Sequence, residues 1–405
     1  MKILMVNNYH YWRGGAEKVM FGEMAGLAER GHEVACFSAR HPQNQPSSLE
    51  HLFPEVLDLQ TQPLRVRIGG WYSLVANPEV KRAFSAALDL VRPDVVHFHN
   101  IYGRLTPVVA EVTRQRGIPS VMTAHDHKLV CPTYLRLSEG RPCDACSYHR
   151  QLPVFFRRCH ERGRITSIVY GAEAAINSWK GVYDGINAVV CPSRFMQQSL
   201  SEGGVGSARL RFVPNFTALT AAPPASAAKP YLLYSGRLSR EKGVACLIRA
   251  MEELDVDLFV AGDGPEAAAL RRMAAQTKHP SRVHFLGYCD RATLNELLAG
   301  ALIVVVPSEC YENAPMAVLE AFAASKPVVG SDIGGIPELV RPGETGALFP
   351  PCNPARLQEA VRSLLASPQT LARLGENARQ LVKERFSPDA HVAELMKVYA
   401  EVAAR

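Results

Sequence analysis

The stretch Leu302-Ile-Val-Val-Val-Pro-Ser-Glu-Cys-Tyr-Glu312-Asn-Ala-Pro315-Met-Ala-Val-Leu-Glu320-Ala-Phe-Ala-Ala-Ser-Lys-Pro-Val328-Val-Gly330 reads as strand, helix, strand. The runs 302–306 and 328–330 are short and continuously apolar, the pattern of strands covered on both faces. Between them, Pro315 suits the first turn of a helix, where its missing N–H costs nothing. The uncapped N–H groups of 313–317 would then point outward as an anion site, which phosphate fits. Carboxylates do not ligate phosphate, so Glu312 and Glu320 read as acceptors for sugar or ribose hydroxyls beside it. The expected ligand is a nucleotide sugar.

The same alternation extends in both directions. Residues 2–7, 32–38, 94–99, 119–124, 188–191 and 210–213 are strand-like, and 16–30 is an amphipathic helix that stops at Gly31. Residues 218–229, rich in Ala, Pro and Ser without periodicity, read as a linker. Strands then recur at 231–235, 258–261 and 283–285, with helices at 244–253 and 267–275. Residues 355–405 are mainly helical, and Pro388 introduces a last helix at about 390–404. The prediction is an α/β chain of two Rossmann-like doubly wound domains, 1–217 and 230–388, with a C-terminal helix, 389–405, packing back on the first. Such sheets bind ligands beyond the carboxyl ends of their strands, so the cleft between domains is the expected site.

The 405 residues exceed what one core usually holds, and 47% apolar with 21% charged residues is ordinary for a globular enzyme. No apolar run approaches a bilayer span, and the opening Met-Lys-Ile-Leu-Met-Val-Asn is too short for a signal peptide, which predicts a cytoplasmic protein. The net charge of +6 is uneven: residues 1–217 hold 25 Lys/Arg against 18 Asp/Glu (+7), leaving 20 against 21 (−1) for the rest. No nucleic-acid motif accompanies that excess, so no nucleic-acid partner is expected. It reads either as a surface for an anionic lipid or acceptor, or as a solvated basic face.

Four motifs recur in order: Gly14-Gly15-Ala-Glu, Ser235-Gly236-Arg237-Leu-Ser-Arg-Glu-Lys242-Gly243, Gly262-Asp263-Gly264-Pro265, and Glu312 to Glu320. Across nearly the whole chain they resemble the retaining glycosyltransferases of family 4, which have the GT-B fold of two Rossmann-like domains facing a central cleft. The resemblance implies that Arg237 and Lys242, on a strand-to-helix turn, neutralise the departing diphosphate. It assigns Glu320 to the ribose, Glu312 to the transferred sugar, and Asn313, Ala314, Pro315 and Met316 to the turn that holds sugar or phosphate. It places Gly236, Gly262, Asp263 and Gly264 at the nucleotide, with Gly287 and Tyr288 near the base. Gly14 and Gly15 follow the first strand, where backbone amides can approach a phosphate or acceptor, and the spacing is not that of a nicotinamide dinucleotide site. His125, followed by Asp126, matches the family's active-site histidine beside the donor sugar. His97 and His99 alternate with apolar residues on a strand and read as cleft lining.

The implied reaction is retaining transfer from a UDP- or GDP-sugar to a glycan or lipid-linked acceptor, as in cell-surface polysaccharide assembly. The leaving phosphate takes the acceptor proton, and no cofactor or divalent cation is required for transfer. A nucleotide-sugar epimerase and a non-catalytic sugar-binding protein on the same fold are the alternatives. The residue set Arg237, Lys242, Glu312 and Glu320 counts against the last.

An insert departs from that pattern. Cys131-x11-Cys143-x2-Cys146-x12-Cys159 places four of the ten cysteines in 29 residues, a spacing that suits a structural zinc or an iron–sulfur centre, with four reduced loop thiols as the alternative, while the other six are scattered and read as reduced thiols. Basic and aromatic residues interleave at 151–158, including Phe155, Phe156, Arg157 and Arg158, and at Arg65, Arg67, Trp71 and Tyr72. These predict either contact with the inner face of an anionic membrane or core packing.

Overall fold

In the computed structural model, which describes residues 1–56, 77–160, 163–219 and 230–404, the chain divides into two compact units. The first holds 1–139, 143–213 and 388–405; the second holds 140–142 and 214–387. The Arg65 to Tyr72 segment and most of 218–229 lie outside the described residues.

The first unit is built on β1 (Lys2–Val6), β2 (Glu33–Phe37), β3 (Val95–Phe98), β4 (Ser120–Thr123), β7 (Ala188–Cys191) and β8 (Leu210–Phe212), in the order β2-β1-β3-β4-β7-β8. Every pairing is parallel. Alternate side chains feed two separate cores, as a two-residue period requires. Leu4, Val6, Val96, Phe98 and Met122 pack against the helices Pro78–Val91, Val108–Gln115 and Arg194–Glu202. Ile3, Met5, Val95, Val121 and Val190 pack against Gly15–Glu29 and the last helix, Pro388–Ala403, through Met20, Leu27, Val392, Leu395, Val398 and Tyr399. The last helix thus belongs to the core of the first unit, and charged pairs Arg30–Asp389 (2.5 Å) and Arg211–Glu401 fasten its ends. Gly26 permits this packing, because a Cβ there would press into the Val392 side chain.

Within the insert, β5 (Leu137–Ser138) and β6 (Arg141–Pro142) pair as a two-stranded ribbon.

The second unit runs β11 (Val283–Gly287), β10 (Asp257–Ala261), β9 (Tyr231–Ser235), β12 (Ile303–Val306), β13 (Val328–Ser331) and β14 (Gly346–Phe349), again all parallel. Numbered from β9, this is the 3-2-1-4-5-6 order of a complete Rossmann sheet. Two features differ from the expectation. The 244–253 helix ends at Ala250 and tightens into a 3-10 turn, Met251–Glu253, because the chain must drop into Leu254 and β10. Strand β14 escapes the apolar pattern because it opens on Gly346, where a Cβ would strike the Val328 carbonyl.

Candidate functional site

The strand order sends β10 and β11 to one side of β9 and β12 to the other, so the switch point lies between β9 and β12. The loops leaving these two strands meet there. A Cβ on Gly243, at φ +68°, would collide with the Pro307 carbonyl, and Glu309 N–H donates to the Glu241 carbonyl at 2.8 Å. Across the junction, Lys242 Nζ donates to Glu312 Oε1 at 2.6 Å, and Ser308 Oγ donates to the same oxygen at 2.6 Å. The two side chains retain 31% and 13% exposure, so the pair remains reachable from solvent. Burial works against the ammonium, but the adjacent Glu312 carboxylate holds the Lys242 pKa above that of an ordinary lysine.

Three more loops close around this junction. Gly262 adopts φ +146°, and a Cβ there would strike the Gly236 carbonyl; one on Gly264 would strike that of Leu238. Leu238 N–H donates to the Asp263 carbonyl (2.9 Å) and Gly262 N–H to that of Gly287 (2.7 Å). Arg237 and Asp263 are exposed on this surface, as is Tyr288 at 77%. The loop after β13 contributes Gly334, at φ +63°, and Gly335, whose N–H donates to the Glu312 carbonyl at 2.7 Å.

That last bond corrects the reading of Pro315. It stands one residue before the helix, at φ −65° and ψ 119°, and the helix is Met316–Ala323. Gly335 holds the Glu312 carbonyl and Asn215 Nδ2 holds that of Ala314 (3.1 Å), so Glu312, Asn313 and Ala314 are kept as loop and cannot wind into the first turn. Met316 begins that turn, and Glu320 follows one turn later, half-buried. An Asp-x-Asp triplet occurs at Asp255-Val256-Asp257, but at the amino end of β10, where Asp255 pairs with Arg282 (2.5 Å) and Asp257 lies 3.7 Å from His284. It is far along the strand from the loops just described.

The first unit offers a second set of groups at strand ends. His97 and His99 do not line a cleft: both are fully buried, and the reason is Glu23, also 0% exposed, on the helix Gly15–Glu29. Its Oε1 lies 3.0 Å from His391 Nε2, and its Oε2 lies 3.5 Å from His97 Nδ1 and 3.4 Å from His99 Nε2. His97 also meets Tyr399 Oη (2.7 Å) and Thr123 Oγ1 (2.8 Å). Burial opposes the Glu23 charge, yet these imidazoles keep its pKa well below the usual carboxylate range. His99 Nδ1 is 2.8 Å from His125 Nε2. The Glu23 carboxylate, 3.4 Å from His99 Nε2, favours the tautomer protonated there, in which His99 Nδ1 accepts from His125 Nε2. Burial holds His125 well below the ordinary histidine pKa, that is, neutral.

Asp126 accepts the Lys128 N–H at 2.9 Å, and burial pushes its pKa up to about 6. Lys128 itself is buried against Glu173 (2.5 Å) and the Pro132 carbonyl (2.9 Å), which ties the start of the cysteine insert to the helix Arg164–Trp179. Gly14 caps the helix Gly15–Glu29 in an extended conformation open to any residue, and its Cβ position would stand 3.6 Å from Glu17, an ordinary contact. Glycine is therefore not demanded there by the backbone.

Sequence reading had not singled out Ser308, Gly334, Gly335, Glu23, His391 or Tyr399. Glu23 carries a usable signal, since it is an acidic residue on the buried stripe Met20, Glu23, Leu27.

Two Rossmann-type units, with a lysine–glutamate pair at the switch point of the second, define an α/β protein of two doubly wound domains. Residues 13–221 match the sequence model of "Glycosyltransferase Family 4" and 217–381 that of "Glycosyl transferases group 1". The chain belongs to this glycosyltransferase family. It is 28% identical over 425 aligned positions to a glycogen synthase of Mycobacterium tuberculosis, covering 98% of this chain and 94% of that one. It is 31% identical over 179 residues to the alpha-D-kanosaminyltransferase of Streptomyces kanamyceticus, a match that spans 43% of this chain and 46% of that protein. Among solved structures, HepE of Anabaena in complex with UDP-glucose superposes with a TM-score of 0.70 over 100% of both chains at 20% identity, a likeness of fold.

Proposed function

We propose that the chain is a retaining transferase that takes a sugar from a nucleotide diphosphate sugar, UDP- or GDP-linked, and passes it to a glycan or lipid-linked acceptor in polysaccharide assembly. The observation that carries this reading is the Lys242–Glu312 pair at the switch point, a poised cation beside a carboxylate. With donor bound, the diphosphate takes over Lys242 and exposed Arg237 as partners, which stabilises the charge that develops on the leaving group. Glu312, released from Lys242, accepts from sugar hydroxyls, and Glu320 from the ribose. The acceptor hydroxyl attacks from the face the diphosphate leaves, and a departing phosphate oxygen takes its proton. No carboxylate nucleophile or divalent cation is needed in that scheme, and positioning supplies much of the rate. The UDP-glucose bound in the HepE structure supports the donor class.

The test is a thermal-shift screen against UDP, GDP and their sugars, followed by NMR of the product's anomeric configuration. A ligand at 100 times its Kd adds about 2.7 kcal/mol to stability. Failure of every nucleotide diphosphate to shift the transition, or an inverted product, overturns the reading. A donor altered without acceptor reports an epimerase instead.

The proposed acceptor side includes a lipid surface. Among the described residues no helix is long and apolar enough to cross a membrane. Yet Leu152 and Phe156 are exposed beside Arg157 and Arg158, and Ile165, Ile168 and Trp179, spaced on one helix face, are exposed as well. Apolar tips among cations suit the inner face of an anionic bilayer. Flotation with anionic but not neutral vesicles is expected, and no flotation with either removes this contact.

A further inference from the structure

Four thiols lie outside the transfer chemistry, and the fold gathers them. Cys131 comes from the turns after β4, Cys143 and Cys146 from the exit of the β5–β6 ribbon, and Cys159 from beyond the short helix Pro153–Phe156. Backbone bonds hold those turns: Tyr134 N–H to the Cys131 carbonyl (2.9 Å), Cys143 N–H to that of Arg136 (2.8 Å), and Glu139 N–H to that of Arg158 (3.0 Å). All four cysteines line one small cavity of about 10 Å³, space for a single water-sized atom. Its walls are otherwise apolar, with Val130, Leu137 and Val154, apart from Thr133 and two cations, Arg136 and Arg157.

Ordinary buried cysteines pack as small hydrophobes and have no use for guanidinium neighbours. Here Arg157 Nη1 donates to Cys143 Sγ at 3.3 Å, a contact suited to a thiolate. Four thiolates around a divalent ion carry a net charge of −2; Arg157 offsets part of it, while Arg136 at the cavity wall is already paired with Asp144. The sulfurs are unbridged, so a disulfide does not account for their gathering. Cys-x2-Cys with two outlying cysteines is the ligand grammar of a closed tetrahedral site. The regular structure of the intervening chain is two two-residue strands and one four-residue helix.

We propose that Cys131, Cys143, Cys146 and Cys159 bind one zinc ion, which fastens the insert. A closed shell, with Zn–S near 2.3 Å, sets sulfurs about 3.8 Å apart. Among the described residues the group with three ligand atoms already within 4.8 Å of one another is Glu23, His97 and His99, so the thiols stand wider and close inward on the metal. In that other group the carboxylate already pairs with His391 and faces His97 and His99 in a sealed core.

Metal analysis of the full chain, purified without added metal or chelator, should give one zinc per chain, released stoichiometrically by a thiol-blocking reagent. The Cys143→Ser/Cys146→Ser variant should lose it, while Cys352→Ser, at the exposed cysteine of the second unit, retains it. Should the double variant fail to fold, cobalt exchange into the unaltered protein decides, with the visible bands of tetrahedral thiolate-bound cobalt expected. Absence of metal, iron in place of zinc, full zinc retention by the double variant, or cobalt without thiolate bands each overturns the proposal. None of these readouts uses transfer activity, so the result stands apart from the proposed reaction.

Discussion

Lys242→Met is expected to lower kcat by about two to three orders of magnitude, the loss typical of removing one preorganised group that meets developing charge. The ammonium is the cation at the switch point already held in place, by Glu312 at 2.6 Å, so its position is set before donor arrives. Substitution also leaves the Glu312 carboxylate, 13% exposed, without its cation, at a stability cost of about 1–3 kcal/mol. The two effects are separable. Adding Glu312→Gln to Lys242→Met removes the orphaned charge and should recover stability without recovering activity. Steady-state kinetics and thermal melts on the single and double variants check this. Full activity in Lys242→Met, or recovery of activity along with stability, would falsify the assignment of Lys242 to the leaving group.

Glu23→Ala should be the most damaging single change in the first unit. The substitution removes the one carboxylate that faces His97, His99 and His391 at once, and each buried donor left without its acceptor costs about 1–3 kcal/mol. In a unit of this size that lowers the first thermal transition by roughly 10 °C. Glu23→Gln, which keeps the shape, should cost less but remove the charge that fixes the His99 proton. His125 then loses its preferred tautomer, and transfer activity should fall at unchanged donor affinity. A melting temperature within a degree of the parent in Glu23→Ala would mean the cluster is not an energetic keystone. Unchanged activity in Glu23→Gln would remove His99 as the positioning residue for His125.

Much of this molecule was legible along the chain. The run 302–330 showed its strands because Val and Ile on both faces leave no other place for them than a covered sheet, and the Gly-rich turns at Gly236, Gly262 and Gly264 marked the strand ends that the sheet then gathers. Lys242 and Glu312 were both identified, yet as separate ligand groups rather than as each other's partner. Their bond spans 70 residues and depends on β9 and β12 being neighbours, which no local pattern states. His97 and His99 were read as cleft lining because they alternate with apolar residues on a strand; the carboxylate that buries them came from one helix and the third imidazole from the far end of the chain, 368 residues from Glu23.

Local sequence determined what each segment can be: apolar runs that must be covered, glycines where backbones approach, cysteines gathered in one insert, and the motifs of a glycosyltransferase. Tertiary structure alone decided which charges meet. Periodicity reports burial along one segment, whereas ion pairs such as Lys242–Glu312 and Glu23–His391 are settled by strand order and by the packing of the last helix onto the first sheet.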